Sequence, residues 1–426
     1  MQMGFASTYL NQRALFPELV NEAPDKQTGI IVVVPAYDEP GISKLLNSLA
    51  LCSVPDCKVE VIIVVNAPEN ASPQSFENNE LTIKNIESWK SENGNCFFRL
   101  FSFIAGPIIS GWGVGLARKT GMDEAVRRFD CINNPEGIIL SLDADCVVEQ
   151  NYFVSVCNEL MKRKDRSACS IYFEHPVNGV DFSESIYKYI TLYELHLRYY
   201  FQGLAFSGFP YVFHTVGSAT AVKALAYVKT GGMNKRQAGE DFYFIQKLVP
   251  SGGYFNLIST TVYPSPRAST RVPFGTGASI RKLTEDNQSV LFTYNLLAFK
   301  ELRSFFKIIE NIYQSKAESL PECYNLLPQG LKSFIDEKEW LVKMIEIKNN
   351  TNSPASFEKR FFGWFNMFKI VKYLNFVHTG IFEKKPVDVA SLELVKEAGM
   401  TFNSKKTIDL LLEFRKMEKY PNYSSL

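Results

Sequence analysis

A chain of 426 residues is long for a single core, and 46 Lys and Arg against 45 Asp and Glu leave a net charge of +1. That balance provides no field broad enough for general nucleic-acid binding, so nucleic acid is not expected as a partner. Eight cysteines without paired spacing, and no signal peptide at the start, fit reduced thiols and a cytoplasmic location.

Residues 1–27 precede the first regular element and are read as an N-terminal segment. Ile30 to Val34 is a run of branched apolar residues, hence a buried strand, ended by Pro35 and followed by Ala36, Tyr37, Asp38, Glu39, Pro40 and Gly41. Ile42, Leu45, Leu46 and Leu49 then recur at i, i+3, i+4, i+7. This predicts a helix with Asp38 and Glu39 near its start, where negative charge suits the dipole. Val59 to Val65 repeats the strand pattern and ends on Asn66. Phe97 to Ile104 is a third strand, and helical stretches lie between most of the strands. Gly111, Gly113 and Gly115 follow that third strand. A dinucleotide fingerprint wants G-x-G-x-x-G directly after the first strand, so these glycines are read as a loop in close approach to a ligand, and a nicotinamide-dependent dehydrogenase is set aside.

Gly137 to Leu142 forms a fourth strand, too short to cross a membrane, and it runs into Asp143, Ala144 and Asp145. Alternate residues of an extended segment point the same way. Asp143 and Asp145 therefore converge beyond the strand's carboxyl end, where open α/β sheets place their ligands. Two carboxylates that close repel each other unless a proton or cation sits between them. Mg²⁺ or Mn²⁺, held by few protein oxygens and shared with a diphosphate, is the natural occupant. The competing reading is a solvated turn, since Asp is common there.

Residues 184 to 206 make a long aromatic helix through Ile186, Tyr189, Ile190, Leu192, Tyr193, Leu197, Tyr200 and Phe201, with core packing or a homodimer seam favoured over an acceptor wall. Gly239, Glu240 and Asp241 open an amphipathic helix. A strand from Phe255 to Tyr263 leads to Arg267 and Arg271. From about 285 the chain reads as helices at Leu291 to Phe306, Leu331 to Ile347, Phe357 to Val377 and Ser391 to Met417. The stretch from Phe357 to Tyr373 mixes aromatics with bases, as a membrane-surface helix would. A helix packed on protein with a basic outer edge is the favoured alternative. The four histidines, at 175, 196, 214 and 378, show no metal-ligand spacing.

Val-Val-Pro-Ala-Tyr-Asp-Glu at 33 to 39, the Gly-rich stretch at 111 to 121, Asp-Ala-Asp at 143 to 145 and Gly-Glu-Asp at 239 to 241 stand in order, with Asp145 and Asp241 96 positions apart. In this the chain resembles family 2 glycosyltransferases of the GT-A fold, over roughly residues 28 to 280. A lone Asp-x-Asp is weak evidence, whereas four motifs in register are strong. The resemblance implies an α/β fold: a GT-A, Rossmann-like, mostly parallel sheet over 28–284, with an α-helical C-terminal extension over 285–426. It also implies an inverting glycosyltransferase, moving a sugar from a nucleotide-diphosphate sugar to a hydroxyl of a glycan or lipid-linked acceptor.

By the same resemblance Pro35, Ala36, Tyr37 and Glu39 line the base and ribose. Asn66 stands where the family usually has Asp, and an amide offers a base edge both a donor and an acceptor. Gly115 lies in the Gly-rich stretch, from which Arg118 reaches the base or a phosphate oxygen. Asp145 is the principal ligand of Mg²⁺ or Mn²⁺, with Asp143 supporting the metal or the ribose. Many family members place a His or basic residue after this strand, over the diphosphate; the segment here has no His, and Arg267 and Arg271 are expected to clamp the diphosphate instead, since guanidinium is suited to phosphate oxygens. Asp241 is the base, and Glu240 is either a second candidate or a helix cap. Gly217, Ser218 and His214 belong to the acceptor side. One carboxylate suffices for inversion, in contrast to a glycoside hydrolase, where two flank one bond. Two alternatives remain: a nucleotide-sugar binder without transfer activity, and nucleotidyl transfer onto a sugar phosphate. The second would want a Gly-rich, basic phosphate loop straight after the first strand, which Pro-Ala-Tyr-Asp-Glu is not. Peripheral contact with the inner face of a membrane is the secondary expectation for location.

Overall fold

The computed structural model describes residues 4–105, 113–235, 239–271, 275–286, 289–404 and 406–420. It forms two compact units, one spanning Met1–Ile190 and Phe213–Thr284, the other Thr191–Val212 and Glu285–Leu426. This differs from a single cut at 285, because residues 191–212 group with the C-terminal helices.

In the first unit the branched apolar runs become β1 (Thr28–Ala36), β2 (Lys58–Val65), β3 (Phe98–Ile104) and β4 (Ile138–Ser141). Four further strands, β5 (Val147–Val148), β6 (Ala168–Phe173), β7 (Thr220–Lys223) and β8 (Tyr254–Tyr263), complete one sheet of order β3-β2-β1-β4-β7-β6-β8-β5. Pairs β1/β2, β1/β4, β2/β3 and β6/β8 are parallel, while β4/β7, β6/β7 and β5/β8 are antiparallel. The sheet is therefore mostly parallel. Every residue of β1 is buried, as a strand covered on both faces must be. The chain leaves β1 toward β2 and β3 on one side and reaches β4 on the other. Such a switch point is where an open α/β sheet opens a crevice beyond its strand ends. Ile30 stands beside Ile138 and Val33 beside Ser141, so the loops after β1 and β4 emerge at the same edge.

The helices of this unit are α1 (Ser7–Arg13), α2 (Ser43–Ala50), α3 (Pro73–Glu92), α4 (Val114–Cys131), α5 (Tyr152–Val156), the start of α6 (Glu184–Ser207), α7 (Ala224–Lys229), α8 (Glu240–Leu248) and α9 (Thr276–Glu285). Leu45, Leu46 and Leu49 form the buried face of α2, as their spacing predicts, but its first turn carries no acid. Asp38 and Glu39 lie upstream of it and serve other partners. Helix α4 packs on β1 and β2, where Gly121 is needed because a Cβ there would collide with Val33 and Val64. The same helix buries Asp123 and Glu124, and buried carboxylates require partners. The N-terminal segment supplies them: Tyr9 donates to Asp123 at 2.7 Å, and the Leu19 and Val20 amides donate to Glu124 at 3.2 Å. Residues 4–27 are thus part of this unit.

In the second unit the predicted helix at 291–306 begins at Leu296, capped by the Asn295 side chain, and Phe292–Thr293 pairs with Lys385–Pro386 instead. The other three predicted helices are each broken in two: Gln329–Phe334 and Glu337–Asn349, Pro354–Trp364 and Met367–Val377, Val387–Glu397 and Thr407–Lys419. Asp336 and Asn366 cap the second members of the first two pairs. Phe357, Phe361, Phe362 and Phe365 are buried, with Phe305 and Phe306 within 4.9–5.2 Å of the last three. The aromatic side of that stretch is core, not a face turned to a membrane. Among the described residues no helix is long and apolar enough to cross one. Within this unit α6 buries Glu194 and Arg198 beside Leu195 and Tyr199, two charged positions that an apolar period passes over.

Candidate active site

The loop after β1 is clamped from two directions. Asp38 turns the chain with a left-handed φ of 58°, a region that residues other than Gly enter rarely. Its amide donates to Asn79 Oδ1 at 2.9 Å, and Asn78 Nδ2 donates to its carboxylate at 2.5 Å. On the other side Arg271 donates to the Tyr37 carbonyl at 2.8 Å, and Arg267 and Arg271 both donate to the buried Glu39 carboxylate. Asn66, at the end of β2, is buried; its amide donates to Ala36 at 2.9 Å and its carbonyl accepts from Asn79 at 2.8 Å.

Beyond β4, Asp143 and Asp145 lie partly open to solvent. Arg118, buried in the first turns of α4, donates through Nη2 to Asp143 at 2.6 Å and through Nη1 to Glu240 at the start of α8. Its Nε is buried and has no hydrogen-bond partner among the described residues. Gly217 makes room for this guanidinium, since a Cβ there would stand 2.7 Å from Nη1. Asp145 lies 3.4 Å from Arg267 and 3.8 Å from Arg271. The Phe242 amide donates to Asp241 at 2.7 Å, which orients that carboxylate.

Burial pushes Asp145 up to about 7, with Glu39 and Asp143 adding to the rise and Arg271 and Arg267 opposing it. It also pushes Glu240 up to about 7, against the pull of Arg118. Asp241 is raised by burial too, again with Arg118 opposing. Burial alone would depress Arg118, but Asp143, Glu240 and Asp241 outweigh it and keep the guanidinium charged.

The structure thus brings Glu39, Arg118, Asp143, Asp145, Glu240, Asp241, Arg267 and Arg271 together at the switch-point edge. Pro35 and Ala36 close β1, Tyr37 is half-buried, and Gly115 is buried in α4. Ser218 is buried. The His214 carbonyl accepts from Ser170 at 2.6 Å, and its ring stands edge-on to Phe173. Gly111 lies outside the described residues. Asn78 and Asn79 escaped the sequence reading, since two amides in a helical stretch carry no signal of what they hold. Among the described residues no group of three or more His, Cys, Asp or Glu is arranged to hold a metal ion.

Residues 138–317 match the family model described as Glycosyl transferase family group 2. That stretch contains β4, the Asp143–Asp145 turn, the Glu240–Asp241 helix and both arginines after β8. Over that stretch, less than half of its length, the chain is similar to this group of glycosyltransferases. No curated protein matches the chain. Among solved structures, S. aureus TarS 1-349 in complex with UDP-GlcNAc is similar at 14% identity, covering 78% of this chain and 92% of that one, with a TM-score of 0.39. The mannosyltransferase PcManGT from Pyrobaculum calidifontis in complex with GDP-Man and Mn²⁺ is similar at 13% identity, 98% and 93% coverage and a TM-score of 0.37. Glucosyl-3-phosphoglycerate synthase from Mycobacterium tuberculosis, in complex with Mn²⁺, UDP-glucose and phosphoglyceric acid, follows at 13% identity, 60% and 75% coverage and 0.30. Superpositions this loose assign no role to any residue.

Proposed function

We propose that the protein transfers a sugar, with inversion, from a nucleotide-diphosphate sugar to a hydroxyl of a glycan or lipid-linked acceptor. The observation that carries this reading is Arg118, which joins Asp143 of the acid turn to Glu240 of α8 and so sets Asp241 beside that turn. Around it Glu39, Asp143, Asp145, Glu240 and Asp241 face Arg118, Arg267 and Arg271, an excess of two negative charges when all are ionised. The excess fits one divalent cation. The two carboxylates Asp143 and Asp145 suit Mg²⁺ or Mn²⁺, which take few protein oxygens and share the rest with phosphates. When bound, such a cation offsets the charge gathering on a departing diphosphate.

The chain's own groups account for the remainder. Arg267 and Arg271 exchange Glu39 and Asp145 for diphosphate oxygens, which a planar fork matches well. Pro35, Ala36, Tyr37 and Asn66 receive the base and ribose. Asp241 takes the proton of the acceptor hydroxyl as its oxygen bonds to the anomeric carbon; the bond from that carbon to the diphosphate breaks, and its electron pair leaves with the nucleoside diphosphate. A raised pKa strengthens Asp241 as a base. Glu240, turned to Arg118, is a positioning residue. Gly217, Ser218 and His214 belong to the acceptor side.

Asp241→Asn keeps the shape and removes the base. Nucleotide-sugar binding with Mn²⁺, measured by calorimetry, is expected to persist, while nucleoside diphosphate release falls by about 10²- to 10⁴-fold. Unchanged release would transfer the role of base to another group. Tight binding with no release from the wild type would make the protein a binding module.

A further inference from the structure

We propose that Asn79, with Asn78 beside it, is a positioning residue for the base end of the donor pocket; the inference rests on the donor reading above. Asn79 is buried on α3 and uses both ends of its amide, accepting from the Asp38 N–H at 2.9 Å and donating to the Asn66 carbonyl at 2.8 Å. Those two positions belong to the loop after β1 and to the end of β2, neighbouring parallel strands in which Ala36 stands beside Val65. One side chain therefore sets the spacing of the two backbone segments assigned to the base and ribose.

The need for such a brace lies in Asp38. A left-handed non-Gly residue persists only where its surroundings over-determine it. Here α3 holds Asp38 itself, through Asn79 on its amide and Asn78 on its carboxylate, while Arg271 and Arg267 hold its neighbours Tyr37 and Glu39. The turn at Asp38 divides the loop into a half facing α3 and a half facing the arginines. Without Asn79, Asp38 relaxes and Tyr37 shifts against Asn66. Among the described residues, Asp143, Asp145, Arg267 and Arg271, which would meet the metal and the diphosphate, form no hydrogen bond or ion pair with Asn79 or Asn78. The base end should thus loosen while the diphosphate end does not.

The test is calorimetry on the full chain with Mn²⁺, using UDP, GDP and inorganic pyrophosphate as probes. Asn79→Ala is expected to raise the Kd of the nucleoside diphosphate that the wild type prefers by about tenfold. It should also narrow the preference between UDP and GDP, and leave pyrophosphate within about twofold. Asn78→Ala, at a half-buried position that threatens folding less, should shift the same values in the same direction by a smaller factor. Equal weakening of all three probes would mean general loosening and overturn the proposal. Nucleotide affinities unchanged in both variants, with wild-type binding intact, would overturn it alone. If the wild type binds neither nucleoside diphosphate, the donor reading falls and this inference falls with it.

Discussion

Both units join arginines to carboxylates, and they do so for opposite ends. At the switch-point edge of the first unit the acids outnumber the bases, and the side chains of Asp143, Asp145, Arg267 and Arg271 are 39%, 26%, 37% and 23% exposed. In the second unit, among the described residues, Glu194, Arg198, Arg415 and Glu418 pair two acids with two bases, with side chains 0%, 0%, 9% and 4% exposed. Glu194 accepts from Arg198 at 2.7 Å and from Arg415 at 2.7 and 2.8 Å, and Arg198 donates to Glu418 at 2.6 Å. This buried network ties α6 to the helix Thr407–Lys419. An unbalanced, open one is short of positive charge when all its groups are ionised. Charge excess and access to solvent, more than the presence of ion pairs, separate a site from a lock.

The lock is where the largest change in stability is expected. Glu194→Leu removes the carboxylate on which both guanidiniums converge: Arg198 keeps Glu418, while both bonds from Arg415 to Glu194 are lost in the interior. Removing one partner of a buried ion network costs about 3–5 kcal/mol, read as a fall in the denaturant midpoint. Replacing all four members with apolar residues of similar volume should restore most of it, because well-packed apolar substitutes of buried ion pairs are often neutral or better. A loss below about 1 kcal/mol for Glu194→Leu would break the comparison, since it would place this network among surface ion pairs.

At the open site the same kind of change should cost the fold little. Asp145→Asn removes one acid of an excess, at a position where burial, Glu39 and Asp143 already oppose ionisation. Stability without metal is expected to stay within about 0.5 kcal/mol of wild type or to rise. Mn²⁺ with a nucleoside diphosphate at 100 times its Kd should add about 2.7 kcal/mol to the wild type and almost nothing to the variant. Equal stabilisation of the two proteins in a thermal-shift titration would place the cation elsewhere.

The two regions also differ in how far the amino-acid sequence reveals them. The acid turn is legible because an apolar strand running into Asp143 and Asp145 changes character within one residue, and the strands of the first unit are legible from their branched runs. Periodicity counts only apolar residues, so the buried Glu194 and Arg198 of α6 are invisible to it, as is the exchange of Arg118 between Asp143 and Glu240. The breaks in the C-terminal helices turn on single capping side chains such as Asp336 and Asn366, which interrupt an apolar pattern that otherwise continues. The pairing of Glu39 with Arg267 and Arg271 spans more than 220 positions, and no local rule reaches so far.

The smallest expected effect comes from histidines of the second unit. His196 is half-buried, its Nδ1 within 2.8 Å of the Thr293 hydroxyl, and burial aided by Lys384 lowers its pKa to about 4 from 6.5. His378 shifts the same way, by burial; its Nε2 accepts from the Asn295 amide at 2.7 Å, so its ring is neutral there with the proton on Nδ1, facing the Leu374 carbonyl. A neutral ring in the folded state and a ring that protonates near 6.5 in the unfolded one mean that the unfolded chain binds more protons as pH falls. The stability these rings contribute is therefore whole above pH 6.5 and is lost as pH falls below it, for His196 down toward 4. Because His196 is partly exposed, solvent screens its charge, and its slope should lie below the roughly 1.4 kcal/mol per pH unit of one fully buried proton. His196→Gln, which keeps a polar partner for Thr293 but does not titrate, is expected to flatten the fall of Tm between pH 6.5 and 4.5 relative to wild type. Parallel curves for the two proteins would mean that this region tolerates a new charge, and would narrow the contrast with the open site to charge balance alone.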